Sequence, residues 1–134
     1  MPGIDECLLE AMTLPGARGA AVVDWTSGLA LGAVGDPAGG DHETTAAETA
    51  ELARMAAEHT AFAAPGAAGR GEPGKGDPVE DLIVTTRTGY HLLRFVERVF
   101  DAGLFVHLWL DRDDGNLALA RIRLRHLAER LVLA

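Results

Sequence analysis

Seven consecutive residues, Leu104-Phe105-Val106-His107-Leu108-Trp109-Leu110, are apolar on both faces of an extended chain. Such a run marks a central strand covered on both sides. The rest of the chain has to supply its neighbours and its cover. With 134 residues, 48% hydrophobic and 24% charged, the chain has the size and composition of one domain with one core. Residues 1–134 are read as that single domain.

The elements around this strand follow from periodicity and punctuation. Ile4, Cys7, Leu8, Ala11 and Met12 line one face of a helix over 4–13, stopped by Pro15-Gly16. Residues 19–25 and 29–34 read as a hairpin around Thr26-Ser27-Gly28, where Gly28 is available for positive φ. Asp41 is a plausible N-cap for the longest helix, over 42–63. That helix is rich in Ala, a surface that lets another backbone approach closely, and Leu52, Met55, His59 and Phe62 form its bulkier stripe. Residues 65–78 hold five Gly and three Pro and read as a flexible internal loop. A third strand over 80–87, a turn at Thr88-Gly89 and a fourth strand over 90–97 precede the central run. The last helix, over 116–132, follows an acidic turn in which Asp113, Asp114 and Asn116 are all acceptable caps.

This order is similar to that of the roadblock family, the dynein-light-chain type of small α/β domain. Three places carry the likeness. One is Leu14-Pro15-Gly16-Ala17-Arg18-Gly19-Ala20-Ala21-Val22-Val23-Asp24, followed by Gly28 and a return strand. Another is the Ala-rich central helix. The last is the run Phe105 to Leu110, an acidic turn, then Asn116-Leu117-Ala118-Leu119-Ala120-Arg121. The loop at 65–78 and the segment 98–103 depart from the family pattern. The resemblance implies a five-stranded antiparallel sheet in the order α-β-β-α-β-β-β-α, roadblock-like or profilin-like. It puts the central helix on one face and the two terminal helices on the other. It also implies a homodimer in which third strands pair edge to edge and central helices pack together. Family members are non-catalytic partners of small GTPases or subunits of larger scaffolds. The Arg-rich, Ala- and Gly-rich composition points to a GC-rich bacterial genome, so a bacterial member is expected.

Independently of the resemblance, Leu82-Ile83-Val84-Thr85-Thr86 is β-branched and apolar on both faces. At a sheet edge its unpaired backbone groups invite another chain. The candidate dimer residues are therefore Leu52, Met55, His59 and Phe62 on the helix and Leu82, Ile83, Val84 and Thr85 on the strand. Val84→Pro is expected to disrupt the pairing, because proline removes a ladder donor.

Chemistry is sparse. Gly69-Arg70-Gly71-Glu72-Pro73-Gly74-Lys75-Gly76 mimics a phosphate loop but ends in Gly76, where a hydroxyl is needed for Mg²⁺. Asp111-Arg112-Asp113-Asp114-Gly115-Asn116 begins like a calcium loop, but its twelfth position is Ile122. It reads as a solvated turn. The lone cysteine, Cys7, falls on an apolar helix face and reads as a small buried hydrophobe. Ser27, the only serine, sits in a turn. The five histidines lack the i, i+4 spacing of a helical zinc site, although His91 and His107 are placed to face each other across a ladder. Arg121, Arg123, Arg125 and Arg130 on the last helix read as a solvated face. The alternative is a basic patch that meets the acidic start of the central helix or a partner.

No catalytic set, metal or cofactor is expected. The net charge of −8 disfavours phosphate backbones and anionic lipids, so neither nucleic acid nor membrane insertion is expected, and the reading is cytoplasmic. The functional expectation is a non-catalytic homodimeric regulatory or scaffold module that binds a small GTPase or another signalling protein. The alternative is a small-molecule sensor with a ligand held between sheet and helix by Tyr90, His91, His107 and Trp109.

Overall fold

A computed structural model describes residues 3–62, 79–97 and 103–133. The elements are α1 (Ile4–Ala11), β1 (Ala17–Asp24), β2 (Leu29–Gly35), α2 (His42–Glu58), a 3-10 turn (Thr60–Phe62), β3 (Asp81–Thr85), β4 (Gly89–Phe95), β5 (Leu104–Asp111) and α3 (Leu117–Leu133). The five strands form one antiparallel sheet in the order β2-β1-β5-β4-β3. The doubly apolar run is thus the middle strand, as its composition requires. The Gly-rich loop at 65–78, with its phosphate-loop mimic, lies outside the described residues.

Alternation along β5 divides the core. Val106, Leu108 and Leu110 point to the α1/α3 side, where they join Cys7, Leu8, Val22, Leu92, Leu124 and Leu127. Phe105 points to the α2 side, with Val23, Trp25, Leu93, Ala46, Ala50 and Ala53. Each large side chain fully buried here contributes about 1.5–3 kcal/mol. The two terminal helices therefore share one face and α2 takes the other. The Ala-rich face of α2 allows the close approach expected of it, but toward the chain's own sheet: Ala46, Ala50 and Ala53 pack beside Ala21 of β1 and Ala30 and Ala33 of β2.

Local signals set the element ends. Gly28 takes φ +80 in the first hairpin turn, and Asp24 Oδ1 accepts from the Thr26 amide at 2.9 Å and hydroxyl at 2.6 Å. Asp41 caps α2: the Thr44 amide donates to its Oδ1 at 2.6 Å, and that bond holds the Asp41 carboxyl below the usual carboxylate range. Asp41→Ala is expected to speed exchange of the Thr44 amide, read by hydrogen exchange, because that donor loses its acceptor. Of the three possible caps for α3, Asn116 is the one used, accepting from the Leu119 amide at 3.0 Å. β2 carries one bulge: its register to β1 shifts between Val22 and Val23, leaving Leu31 as the extra residue.

Two boundaries near the candidate residues differ from the sequence reading. α2 ends at Glu58, not residue 63. His59 turns extended (φ −77, ψ 135), and its amide still donates to Met55 O at 3.2 Å. The apolar spacing continues through Phe62 because Thr60–Phe62 winds on as a 3-10 turn. His59 is thus off the helical stripe. The second hairpin turns at Arg87-Thr88, and Gly89 already belongs to β4. The Thr86 amide donates to Gly89 O at 2.8 Å and closes that hairpin.

Candidate interaction site

Among the described residues β3 pairs with β4 alone, so its other side is an edge of the described sheet. The direction of each backbone group follows from two bonds. The Phe95 amide donates to Glu80 O, and the Thr86 amide donates to Gly89 O. In an unbroken antiparallel register, the hydrogen-bonded pairs alternate. Leu82 and Val84 therefore turn their amides and carbonyls toward β4, while Ile83 and Thr85 turn theirs to the open edge. This corrects the choice of Val84→Pro: that substitution removes a bond inside the chain. Ile83 and Thr85 hold the groups a second strand would pair with.

Side chains follow the opposite alternation. Leu82 packs on the α2-side cluster, and Val84 lies on the same face, paired with His91. Ile83 and Thr85 point to the α1/α3 side. Ile83 is 38% exposed and Val84 39%. On α2, the face away from the sheet exposes Leu52 and Met55, the latter at 58%, and Phe62 beyond the helix end is also exposed. His59 is exposed at the C-cap. Leu52, Met55 and Val84 thus present apolar surface on the α2 side of the sheet, whereas Ile83 and Thr85 lie on the opposite side.

The α2 side also carries a column of rings. The Arg18 guanidinium lies 4.9 Å from the Trp109 ring centroid. Trp109 stacks on His91, with centroids 5.7 Å apart and planes within 4°. His91 lies against His107, with Nδ1 of one 3.1 Å from Nε2 of the other. The Trp109 indole N–H donates to Asp36 O at 2.9 Å, and the Asp36 carboxylate pairs with Arg18 at 3.6 Å. His91 stands opposite Trp109 and His107 opposite Leu93, so the two histidines are diagonal neighbours. Burial, with His91 adding to it, drives the His107 imidazole down to about 3. Burial also lowers His91.

The sensor reading needs Tyr90, His91, His107 and Trp109 around one cavity. Tyr90 faces the other way, packed on the α1/α3-side cluster. Adjacent strand residues point to opposite faces, so this separation is available from the sequence. The cavity that His107 and Trp109 line with Asp36, His42, Thr45 and Ala46 measures about 10 Å³, room for about one water molecule. That cavity is too small to hold a ligand larger than water. Among the described residues, no group of three or more His, Cys, Asp or Glu is placed to hold a metal. Burial pushes the Cys7 thiol up to about 11, so it stays protonated.

Of the four α3 arginines, Arg123 and Arg125 are exposed, and Arg121 and Arg130 pair with other elements and not with the acidic start of α2, which lies across the sheet. Arg121 Nε bonds Asp81 at 2.7 Å, with Arg94 3.9 Å from the same carboxylate, and Arg130 bonds Glu10 at 2.6 Å. Sequence reasoning misses Asp81, because strand and helix meet there through tertiary packing. No helix among the described residues is long and apolar enough to cross a membrane.

No family model and no curated protein matches the chain. Solved structures do. Myxococcus xanthus MglB matches with TM-score 0.72 at 13% identity, over 94% of this chain and 89% of that one. A gliding protein, MglB of Thermus thermophilus, matches with TM-score 0.69 at 17% identity, over 95% and 84%. A Roadblock/LC7 domain from Streptomyces avermitilis matches with TM-score 0.65 at 15% identity, over 96% and 94%. These likenesses show the fold, and it is the roadblock/LC7 fold.

Proposed function

We propose that this roadblock-fold chain is a bacterial, cytoplasmic, non-catalytic regulatory module. It pairs with a second copy through β3 and α2, and as a dimer it binds a small GTPase or a related signalling protein. The observation that carries the reading is the edge of β3. The backbone groups of Ile83 and Thr85 have no strand partner among the described residues, Val84 is exposed beside them, and Leu52 and Met55 are exposed on α2, on the face that Val84 shares. A strand edge of this kind is satisfied by another strand, and a two-fold axis along it closes the assembly at two. Similarity in fold to MglB and to a Roadblock/LC7 domain supports the regulatory part, as does the GTPase partnership of the family that the sequence resembles.

Light scattering over a dilution series tests the dimer. The expected mass is twice the 14.1 kDa of the chain, held down to low concentration. A mass that stays at one chain throughout overturns the reading. For the dimer, the next test is pull-down of a small GTPase from the source cell, with an Ile83→Pro chain as the control.

A further inference from the structure

Among the described residues β3 is the last strand on its side of the sheet, and it is only five residues long, Asp81–Thr85. Leu82 and Val84 spend their amides and carbonyls on β4, so Asp81, Ile83 and Thr85 turn theirs outward. A further antiparallel strand has to bond to those outward residues. If it belongs to a second copy related by a two-fold axis, one residue of β3 meets its own counterpart on the axis. The identity of that residue fixes every other pair along the seam.

We infer that the axis passes through Ile83. Ile83 then faces its counterpart, Leu82 faces Val84 of the second copy, and Asp81 faces Thr85 of the second copy. This inference rests on the dimer reading above and gives that dimer its register.

Backbone overlap favours this centre. Ile83 is the middle of β3, so each outward residue finds a partner inside the other copy's strand. With the axis at Leu82, Thr85 runs past the other strand and meets Val79. With the axis at Val84, Asp81 runs past it and meets Arg87, already in the hairpin turn. Either shift loses ladder bonds at both ends of the seam.

The side chains favour it too, because directly opposed residues of an antiparallel pair share a face. On the α2 side, Leu82, packed on its own cluster, meets the exposed Val84. On the α1/α3 side, the exposed Ile83 meets its counterpart. An axis at Leu82 would set Val84 against Glu80 and Ile83 against Asp81. An axis at Val84 would set Leu82 against Thr86 and Ile83 against Thr85. Of these three centres, Ile83 alone matches apolar with apolar on both faces.

Charge agrees. Asp81 is the one charged residue of β3. Its carboxylate is 13% exposed and already bonded to Arg121 at 2.7 Å, with Arg94 3.9 Å away. Facing Thr85, it meets a hydroxyl, and the seam buries no uncompensated charge. An axis at Asp81 would bring the two carboxylates together.

The test is disulfide scanning of the full chain. Leu82→Cys, Ile83→Cys and Val84→Cys are made singly and oxidised at a concentration where light scattering gives the dimer mass. Linking is followed on non-reducing gels. A disulfide needs Cα atoms within about 7 Å. Only the residue on the axis lies that close to its own counterpart, because its neighbours are displaced from theirs by two residues along the strand. Cys7 is buried, and the natural chain is the control for it. Ile83→Cys is expected to link at least about tenfold faster than Leu82→Cys or Val84→Cys alone. An equimolar mixture of those two is expected to link where neither does alone. If Leu82→Cys does not fold, Ile83→Cys against Val84→Cys carries the comparison. Fastest linking by Val84→Cys or Leu82→Cys overturns the register and leaves the β3 dimer standing. A dimer in which none of the three variants links overturns the register and the β3 seam with it. A chain that is monomeric throughout overturns the dimer reading and the register together.

Discussion

Ile83→Pro is expected to yield a folded monomer at concentrations where the natural chain is a dimer. Ile83 belongs to the edge strand β3, and the alternation fixed by Thr86–Gly89 and Phe95–Glu80 turns its amide away from β4. Proline there costs no ladder bond to β4, and edge strands tolerate it. Across a two-fold axis the substitution removes the same donor from both copies, and the ring meets the approaching strand. At about 1 kcal/mol for each lost bond, plus the steric cost, the dimer weakens by roughly 100-fold or more. Val84→Pro makes the contrast, because it breaks the β3–β4 ladder and lowers the stability of the chain itself. The two variants separate by light scattering and urea melts: Ile83→Pro shifts mass with little change in the monomer's midpoint, and Val84→Pro shifts the midpoint. A dimer that survives Ile83→Pro intact would exclude the β3 edge as its interface.

Gly19→Ala is expected to cost the fold about 3 kcal/mol. Gly19 faces Trp109 across the ladder and Gly35 on the other side. A Cβ at this position would stand 2.1 Å from Asp36 O and 2.8 Å from the Trp109 indole nitrogen. Those two atoms form the bond that seats Trp109. Backbone lies on one side and a ring held by Arg18 and His91 on the other, so neither gives way cheaply. The measurement is the urea midpoint, together with the near-ultraviolet circular dichroism of the tryptophans. An unchanged midpoint would mean that the connection after β2 moves freely, and the ring column would then lack its anchor.

Much of this architecture is legible in the residues. Leu104–Leu110 can only be a middle strand, and Gly28 can only sit in a turn. Asp41 before a helical period announces its cap. The end of α2 is not legible, because Thr60–Phe62 keeps the apolar spacing while the winding tightens. The outward amides of β3 are not legible either. They depend on which residues face β4, and that register is set by the Arg87-Thr88 turn and not by any feature of β3. The exposed apolar residues of the candidate site can be named from periodicity, since Leu52 and Met55 fall off the alanine face. The histidine pair is half visible: the residues predict facing strands, but the diagonal placement and the Trp109 stack depend on the β4–β5 register. The Asp81–Arg121 pair joins residues forty positions apart and has no local signature.

The bulge in β2 has a consequence for how growth of the sheet ends. A sheet with two flat, open edges can add copies at both and run on as a filament. Here the edge opposite β3 carries an extra residue at Leu31, which interrupts the even spacing a neighbouring strand would need. Among the described residues, the β3 edge is the regular one. In the dimer proposed above, the two β3 edges would be used up by each other and each outer edge would carry this bulge, which would oppose further addition of strands.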